Sequence, residues 1–225
     1  MNNIIIATPH RRNDGIQDKI KKLFPHINVI RIDDPKELNI KKIEKLEPDW
    51  IFFPHWSWLI PSNIFSNYKC VIFHMTDLPY GRGGSPLQNT ILEGLDKTKI
   101  CAIECEEGLD TGPVYARANL SLEGTAEEIL MRANSSITNL IIHIIKDNPK
   151  PVQQVGKITL FKRRTPDQSN INNLNTIDEI YNYIRMLDAH DYPHAFLETK
   201  SHKYEFTGVK KASDGLIANV KIKIK

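Results

Sequence analysis

Cysteine is scarce, with three residues, Cys70, Cys101 and Cys105, in a chain of 225. None forms a Cys-x-x-Cys pair and the number is odd, so neither a disulfide framework nor a zinc site is indicated. All three read as small buried hydrophobes on strands. No apolar run approaches the roughly 18 residues that a membrane helix needs. The amino-terminal residues pass straight into strand-like Ile4-Ile5-Ile6, without a basic region ahead of a long apolar one. A cytoplasmic protein with no membrane partner is expected. Internal repeats and low-complexity segments are missing too. Charge of one sign is in little excess: the net charge is +3, with 18 basic and 19 acidic side chains in residues 1–150 and 12 and 8 in residues 151–225. The tail's surplus suits an anionic partner but falls short of a nucleic-acid-binding signature, and no nucleic acid is expected.

What is present is ordinary for a soluble globular protein, 40% hydrophobic and 25% charged residues. The length allows one good core, or a main domain with a smaller appendage. Strand-like Ile4–Ala7, Ile27–Ile32, Trp50–Phe53 and Cys70–Phe73 alternate with helical spacing at Ile16 to Phe24 and Leu38 to Leu46. That alternation predicts βαβ units, an α/β fold with a parallel sheet and helices on both faces. A helix over Ser85–Leu92 and strands over Lys99–Glu106 and Pro113–Leu122 follow. Thr125-x-x-Glu128 is a capping box opening a long helix whose stripe is Ile129, Ala133, Ile137, Leu140, Ile141 and Ile144. Pro149-Lys150-Pro151 marks the expected boundary between a domain of residues 1–150 and a small α+β domain of residues 151–225. The latter reads as a strand at Ile158–Phe161, a helix at Ile177–Leu187, and strands at Ala195–Thr199, Tyr204–Val209 and Leu216–Lys225. The last alternates isoleucine with lysine, the pattern of a protected edge strand.

The chemistry-bearing residues form an ordered set. His74 leaves the fourth strand at its carboxyl end, the edge where ligands bind in open α/β sheets. Leu78-Pro79 makes a turn, Arg82-Gly83-Gly84-Ser85-Pro86 starts a helix, and Gly108-Leu109-Asp110-Thr111-Gly112 forms a later loop. In this order and spacing the set resembles the formyltransferase family that uses 10-formyltetrahydrofolate, including the methionyl-tRNA, glycinamide-ribonucleotide and nucleotide-sugar formyltransferases.

That resemblance implies a Rossmann-like formyltransferase domain with a small carboxyl-terminal domain, and transfer of a formyl group to an amine. His74 would handle the proton and help stabilise the oxyanion, with Asp110 positioning it and no metal required. Gly108, Leu109 and Asp110, with Trp58, Leu59 and Ile60, would meet the folate. Arg82, Gly83, Gly84 and Gln88, together with His10, Arg11 and Arg12 after the first strand, would face the acceptor. Most members carry Asn-x-His, whose asparagine donates to the formyl oxygen; Ile72 stands there and cannot. His55 and Thr76 are the candidates for the missing donor.

Within the family, the loop Thr8 to Gly15 does not match the phosphate loop of glycinamide-ribonucleotide formyltransferases. Phe161 to Asp167, Ile177 to Arg185 and Tyr192 to Ala195 resemble the small region after the catalytic domain of nucleotide-sugar N-formyltransferases. There it closes the site and contributes to dimers, so a homodimer is a further expectation. The acceptor expected is therefore a nucleotide-linked amino-deoxysugar, such as a UDP-linked precursor of pseudaminic-acid type. The alternatives are a non-catalytic folate or nucleotide-sugar binding module and a methionyl-tRNA formyltransferase.

Overall fold

The computed structural model describes all 225 residues, which divide into two compact units. One comprises Met1–Arg82, Lys99–Leu120 and Met131–Thr159; the other comprises Gly83–Thr98, Ser121–Leu130 and Leu160–Lys225. The chain thus passes between units several times.

The first unit is built on a twisted sheet of β1 (Asn3–Ala7), β2 (Asn28–Ile32), β3 (Trp50–Phe53), β4 (Cys70–His74), β6 (Lys97–Glu104) and β7 (Val114–Ser121), in the order β2-β1-β3-β4-β6-β7. Strands β1 to β4 pair in parallel. Their continuous apolar runs are what a sheet covered on both faces requires, and Ile4, Ile5, Ile51 and Phe52 are fully buried. Strand β6, whose direction the sequence does not record, runs antiparallel to β4, with His74 opposite Cys101. The Gly108–Gly112 loop joins it directly to β7, with no crossover helix between them.

Helices α1 (Asp14–Leu23) and α2 (Ile40–Leu46) turn Ile16, Ile20 and Ile43 into the core. The second begins two residues later than its apolar spacing predicts, because Pro35–Glu37 forms a 3₁₀ turn and the Asn39 side chain caps Lys42 N. A one-turn helix α3 (Ser62–Phe65), without a periodic signal, precedes β4. Cys70 and Cys101 are buried as expected and Cys105 is half-buried; burial raises the thiol pKa of all three, that of Cys105 to about 12. Helix α5 (Ala126–Asp147) opens on the expected box, with Thr125 Oγ1 accepting from Glu128 N and the Glu128 carboxylate accepting from Thr125 N. No helix is long and apolar enough to cross a membrane.

The two-residue strands are β5 (Arg82–Gly83) and β8 (Leu160–Phe161), and the second unit holds α4 (Pro86–Leu92), α6 (Ile177–Leu187) and the sheet β11-β10-β9. Strand β8 starts two residues later than predicted. Strands β9 (Ala195–Glu198), β10 (His202–Ala212) and β11 (Gly215–Ile224) pair antiparallel. β11 is an edge strand, as its lysine alternation predicts. Lys223 pairs with Glu205 and Lys225 with Glu198. Arg185 is buried and donates to the Leu122 and Gly124 carbonyls and to Asn182.

Candidate functional site

Because β1, β3 and β4 are adjacent and parallel, their carboxyl ends share one edge of the sheet. Three segments emerge there: Thr8 to Asn13, Pro54 to Ile60 and His74 to Gly81. His74 is buried, with Nδ1 3.3 Å from Asp110 Oδ2 and Nε2 2.8 Å from the Gly81 carbonyl. Both contacts are to acceptors, so only a ring carrying protons on both nitrogens donates to both. Thr76 Oγ1 lies 3.4 Å from the same carbonyl, turned towards the backbone rather than idle.

Asp110 reaches His74 from a loop that glycine alone permits. A Cβ on Gly112 would stand 1.9 Å from the Glu104 carbonyl oxygen, and Gly108 has φ of 108°. Asp110 itself sits at φ 54°, a left-handed conformation that costs a non-glycine residue roughly 1–2 kcal/mol. Outside contacts hold it there. Gln154 Nε2 donates to the Asp110 carbonyl at 2.9 Å and to that of Gly112 at 2.8 Å. Its Oε1 accepts from Arg82 Nε at 3.1 Å and Nη2 at 2.8 Å. On the opposite side of His74, Gly81 N donates to Thr159 Oγ1 at 2.6 Å. Neither Gln154 nor Thr159 is anticipated as a site residue: Gln154 lies in a stretch with no periodicity or motif, and Thr159 reads only as part of the strand expected at Ile158–Phe161. Arg82, expected to face the acceptor, spends these donors on Gln154.

Ile72, in place of the family asparagine, is partly buried and packs against two apolar clusters, one with Phe53 and Cys70 and one with Leu78, Ile103 and Val114. His55, one of its two expected substitutes, adopts φ 53°. As a residue it is only half-buried, but its Nε2 is shielded and has no hydrogen-bond partner. Desolvation first, and then the positive charges of His10 and Arg12, lower its pKa to about 3, so the ring is neutral. Its ring meets that of His10 edge-on at 6.4 Å. The structure therefore groups His55 with His10 and Arg12. This turn is fixed by Asn13 Nδ2 on Thr8 Oγ1 at 2.6 Å and by Asn134 Nδ2 on the Arg12 carbonyl at 2.6 Å. Arg11 is exposed and lines a shallow groove of about 420 Å³ with Pro9, Asp14, Gln17 and Arg31.

Of the expected folate contacts, Ile60 packs into the core cluster of Phe53. Trp58, Leu59 and Leu109 are 48%, 94% and 63% exposed. Apolar side chains left in water on loops, beside backbone freed by glycine, suit a flat and partly apolar ring. Gly83, Gly84 and Gln88 belong to the second unit. A Cβ on Gly84 would stand 2.5 Å from Arg163 Cα, and Gln88 is buried with Nε2 on the Met186 carbonyl at 3.4 Å. Those positions join α4 to the rest of their own unit.

The arrangement agrees with comparison to known proteins. Residues 12–145 match the model of the formyl transferase family, and residues 166–223 match that described as the methionyl-tRNA formyltransferase carboxyl-terminal domain. A solved structure, the methionyl-tRNA formyltransferase from Clostridium thermocellum, is 45% identical with a TM-score of 0.96, covering 100% of both chains. The methionyl-tRNA formyltransferase of Rickettsia massiliae (strain Mtu5) is 32% identical over 140 residues, 59% of this chain and 46% of that protein. The chain spans about half the length of the curated relatives it matches. A sugar N-formyltransferase from Shewanella sp FDAARGOS_354 shares the fold at TM-score 0.74 and 14% identity, covering 94% of this chain and 99% of that one. With the family model covering more than half of its residues, the chain belongs to the formyl transferase family.

Proposed function

We propose that this protein transfers a formyl group to an amine, and that the acceptor is the amino group of methionyl-tRNA. The observation that carries the chemistry is the buried His74–Asp110 contact at 3.3 Å, held at the sheet edge where three loops meet. 10-formyltetrahydrofolate, the formyl donor of this family, supplies the group transferred. Attack by the amine nitrogen on the formyl carbon forms the new C–N bond and places negative charge on the formyl oxygen. The proton the amine loses passes by way of His74 to N10 as the bond from the formyl carbon to N10 breaks and tetrahydrofolate leaves. A His74 ring that releases one of its two acceptors turns an N–H towards that oxygen. The Asp110 carboxylate fixes the ring's orientation. Trp58, Leu59 and the Gly108 to Asp110 backbone flank the folate ring.

The acceptor assignment rests on the methionyl-tRNA formyltransferase at 45% identity over the full chain. The nucleotide-linked amino sugar expected from the sequence has support at the level of fold alone, at 14% identity. The surplus of seven lysines over three acidic residues in residues 195–225 suits an anionic acceptor of either kind and does not separate tRNA from a nucleotide sugar. The test is mass spectrometry after incubation with 10-formyltetrahydrofolate and either methionyl-tRNA or a panel of UDP-, dTDP- and CMP-linked amino sugars. Formylmethionyl-tRNA is expected. A formyl adduct on a nucleotide sugar alone would replace the acceptor, and folate binding without any adduct would leave a binding module.

A further inference from the structure

We propose that Gln154 is a positioning residue for Asp110 and that Arg82 acts through it; this rests on the catalytic reading of the His74–Asp110 pair. The amide of Gln154 is used completely. Arg82 can only donate and the two loop carbonyls can only accept, so the orientation of the amide follows from its partners. Nε2 straddles the carbonyls of Asp110 and Gly112, one on each side of Thr111. It therefore holds the one stretch of backbone that puts the Asp110 carboxylate against His74.

Two features show why the loop needs such a clamp. Asp110 and Gly108 both have positive φ, a strained turn that the surrounding structure must over-determine. Moreover, Gly112 is pressed against the Glu104 carbonyl, which fixes the base of the loop, while its tip carries the exposed Leu109. The same extended segment braces the other partner. Val152 exchanges backbone hydrogen bonds with Val114 at the start of β7, and Thr159 holds Gly81 from both sides of its peptide. Gly81 in turn carries the carbonyl bonded to His74 Nε2. Residues 152–159 thus grip Asp110 through Gln154 and His74 through Gly81. Arg82 keeps the Gln154 amide aimed at the loop; in this role it is not the acceptor's phosphate ligand.

The experiment compares the wild type with Gln154→Leu, Gln154→Glu, Arg82→Met and the double variant Arg82→Met/Gln154→Leu. Steady-state kinetics on the accepted amine are read alongside ¹⁵N NMR of the His74 imidazole. Gln154→Leu is expected to lower kcat about 10- to 100-fold while leaving both KM values within about twofold, because orientation and not binding is lost. Gln154→Glu keeps the Arg82 contact but cannot donate to the carbonyls, and is expected to resemble Gln154→Leu. The double variant is expected to be no worse than the more damaged single one. A kcat within about twofold of wild type in Gln154→Leu would overturn the proposal. So would an Arg82→Met that raises the acceptor KM additively with Gln154→Leu, since that would seat Arg82 on the acceptor. An inactive wild type would reject the catalytic reading instead. The NMR arm then still decides on positioning: Gln154→Leu is expected to move the His74 Nδ1 resonance in the direction that Asp110→Asn moves it, and an unmoved resonance would overturn it.

Discussion

Asp110 Oδ2 stands 3.3 Å from His74 Nδ1, although the two residues come from the end of a parallel strand and from a loop between two later strands. The contact joins two motifs that are weak apart. It predicts that His74→Ala and Asp110→Ala each lower formyl transfer about 100- to 10,000-fold with the fold intact by circular dichroism. The two should act as a unit, so the double variant loses little beyond either single one. Near-normal turnover in either single variant would remove that residue from the mechanism.

The loop that delivers Asp110 makes a sharper structural demand. Gly112→Ala pushes a methyl group into the Glu104 carbonyl, which is backbone and cannot yield. Activity should fall by at least about 100-fold as Asp110 is displaced by something near 1 Å. Gly15, in α1, has nothing within 4 Å of its added Cβ. Gly15→Ala should therefore stabilise the protein by about 0.5–1 kcal/mol, raise the melting temperature slightly and leave kcat alone. Matching effects from the two substitutions would show that close packing, and not glycine's helix propensity, had been misassigned.

Much of this was legible from residue order. The parallel strands Ile4–Ala7 and Trp50–Phe53 are short runs of apolar residues, as a sheet covered on both faces requires, and His74 ends the next strand at the shared edge. The capping box at Thr125 and Glu128 is local, so sequence suffices for it. What failed to show is non-local. β6 runs antiparallel to β4 because of how its loop turns, and nothing in Lys97–Glu104 records direction. Gln154 owes its place to four hydrogen bonds with residues far along the chain, and an isolated glutamine in an extended stretch carries no periodic signal. Arg82 reads as a phosphate ligand by type, and only the position of Gln154 reveals a different partner.

His55 makes stability depend on pH. Its pKa in the fold lies at about 3, against an ordinary value of 6.5. Between those values the unfolded chain binds a proton there that the native state refuses, so stability is full above about pH 6.5 and declines as pH falls towards 3. The loss is up to about 2 kcal/mol at pH 5, from 1.36 kcal/mol per pH unit. Replacing the ring with a neutral amide in His55→Gln should flatten the dependence of melting temperature on pH between about 7 and 5. An unchanged slope in the variant would show that His55 is not held neutral.

Ile72 sets the last expectation. Restoring the family asparagine is the obvious repair if an oxyanion donor has merely been lost. Yet this side chain packs against two apolar clusters of the first unit, one with Phe53 and one with Leu78. An amide there leaves polar atoms among Ile103, Val114 and Cys70, at a cost of about 1–3 kcal/mol. Ile72→Asn should therefore lower the melting temperature without raising turnover, measured well below the transition. The shielded and unpartnered His55 Nε2 becomes a donor in the tautomer that carries its proton there. His55→Phe in an otherwise native chain distinguishes the two positions: it should lower kcat if the ring donates in the transition state, and leave kcat unchanged if His55 serves only the turn with His10. A gain in turnover from Ile72→Asn, in contrast, would mean that the site lacks its oxyanion donor and that the packing of Ile72 replaced it at the expense of rate.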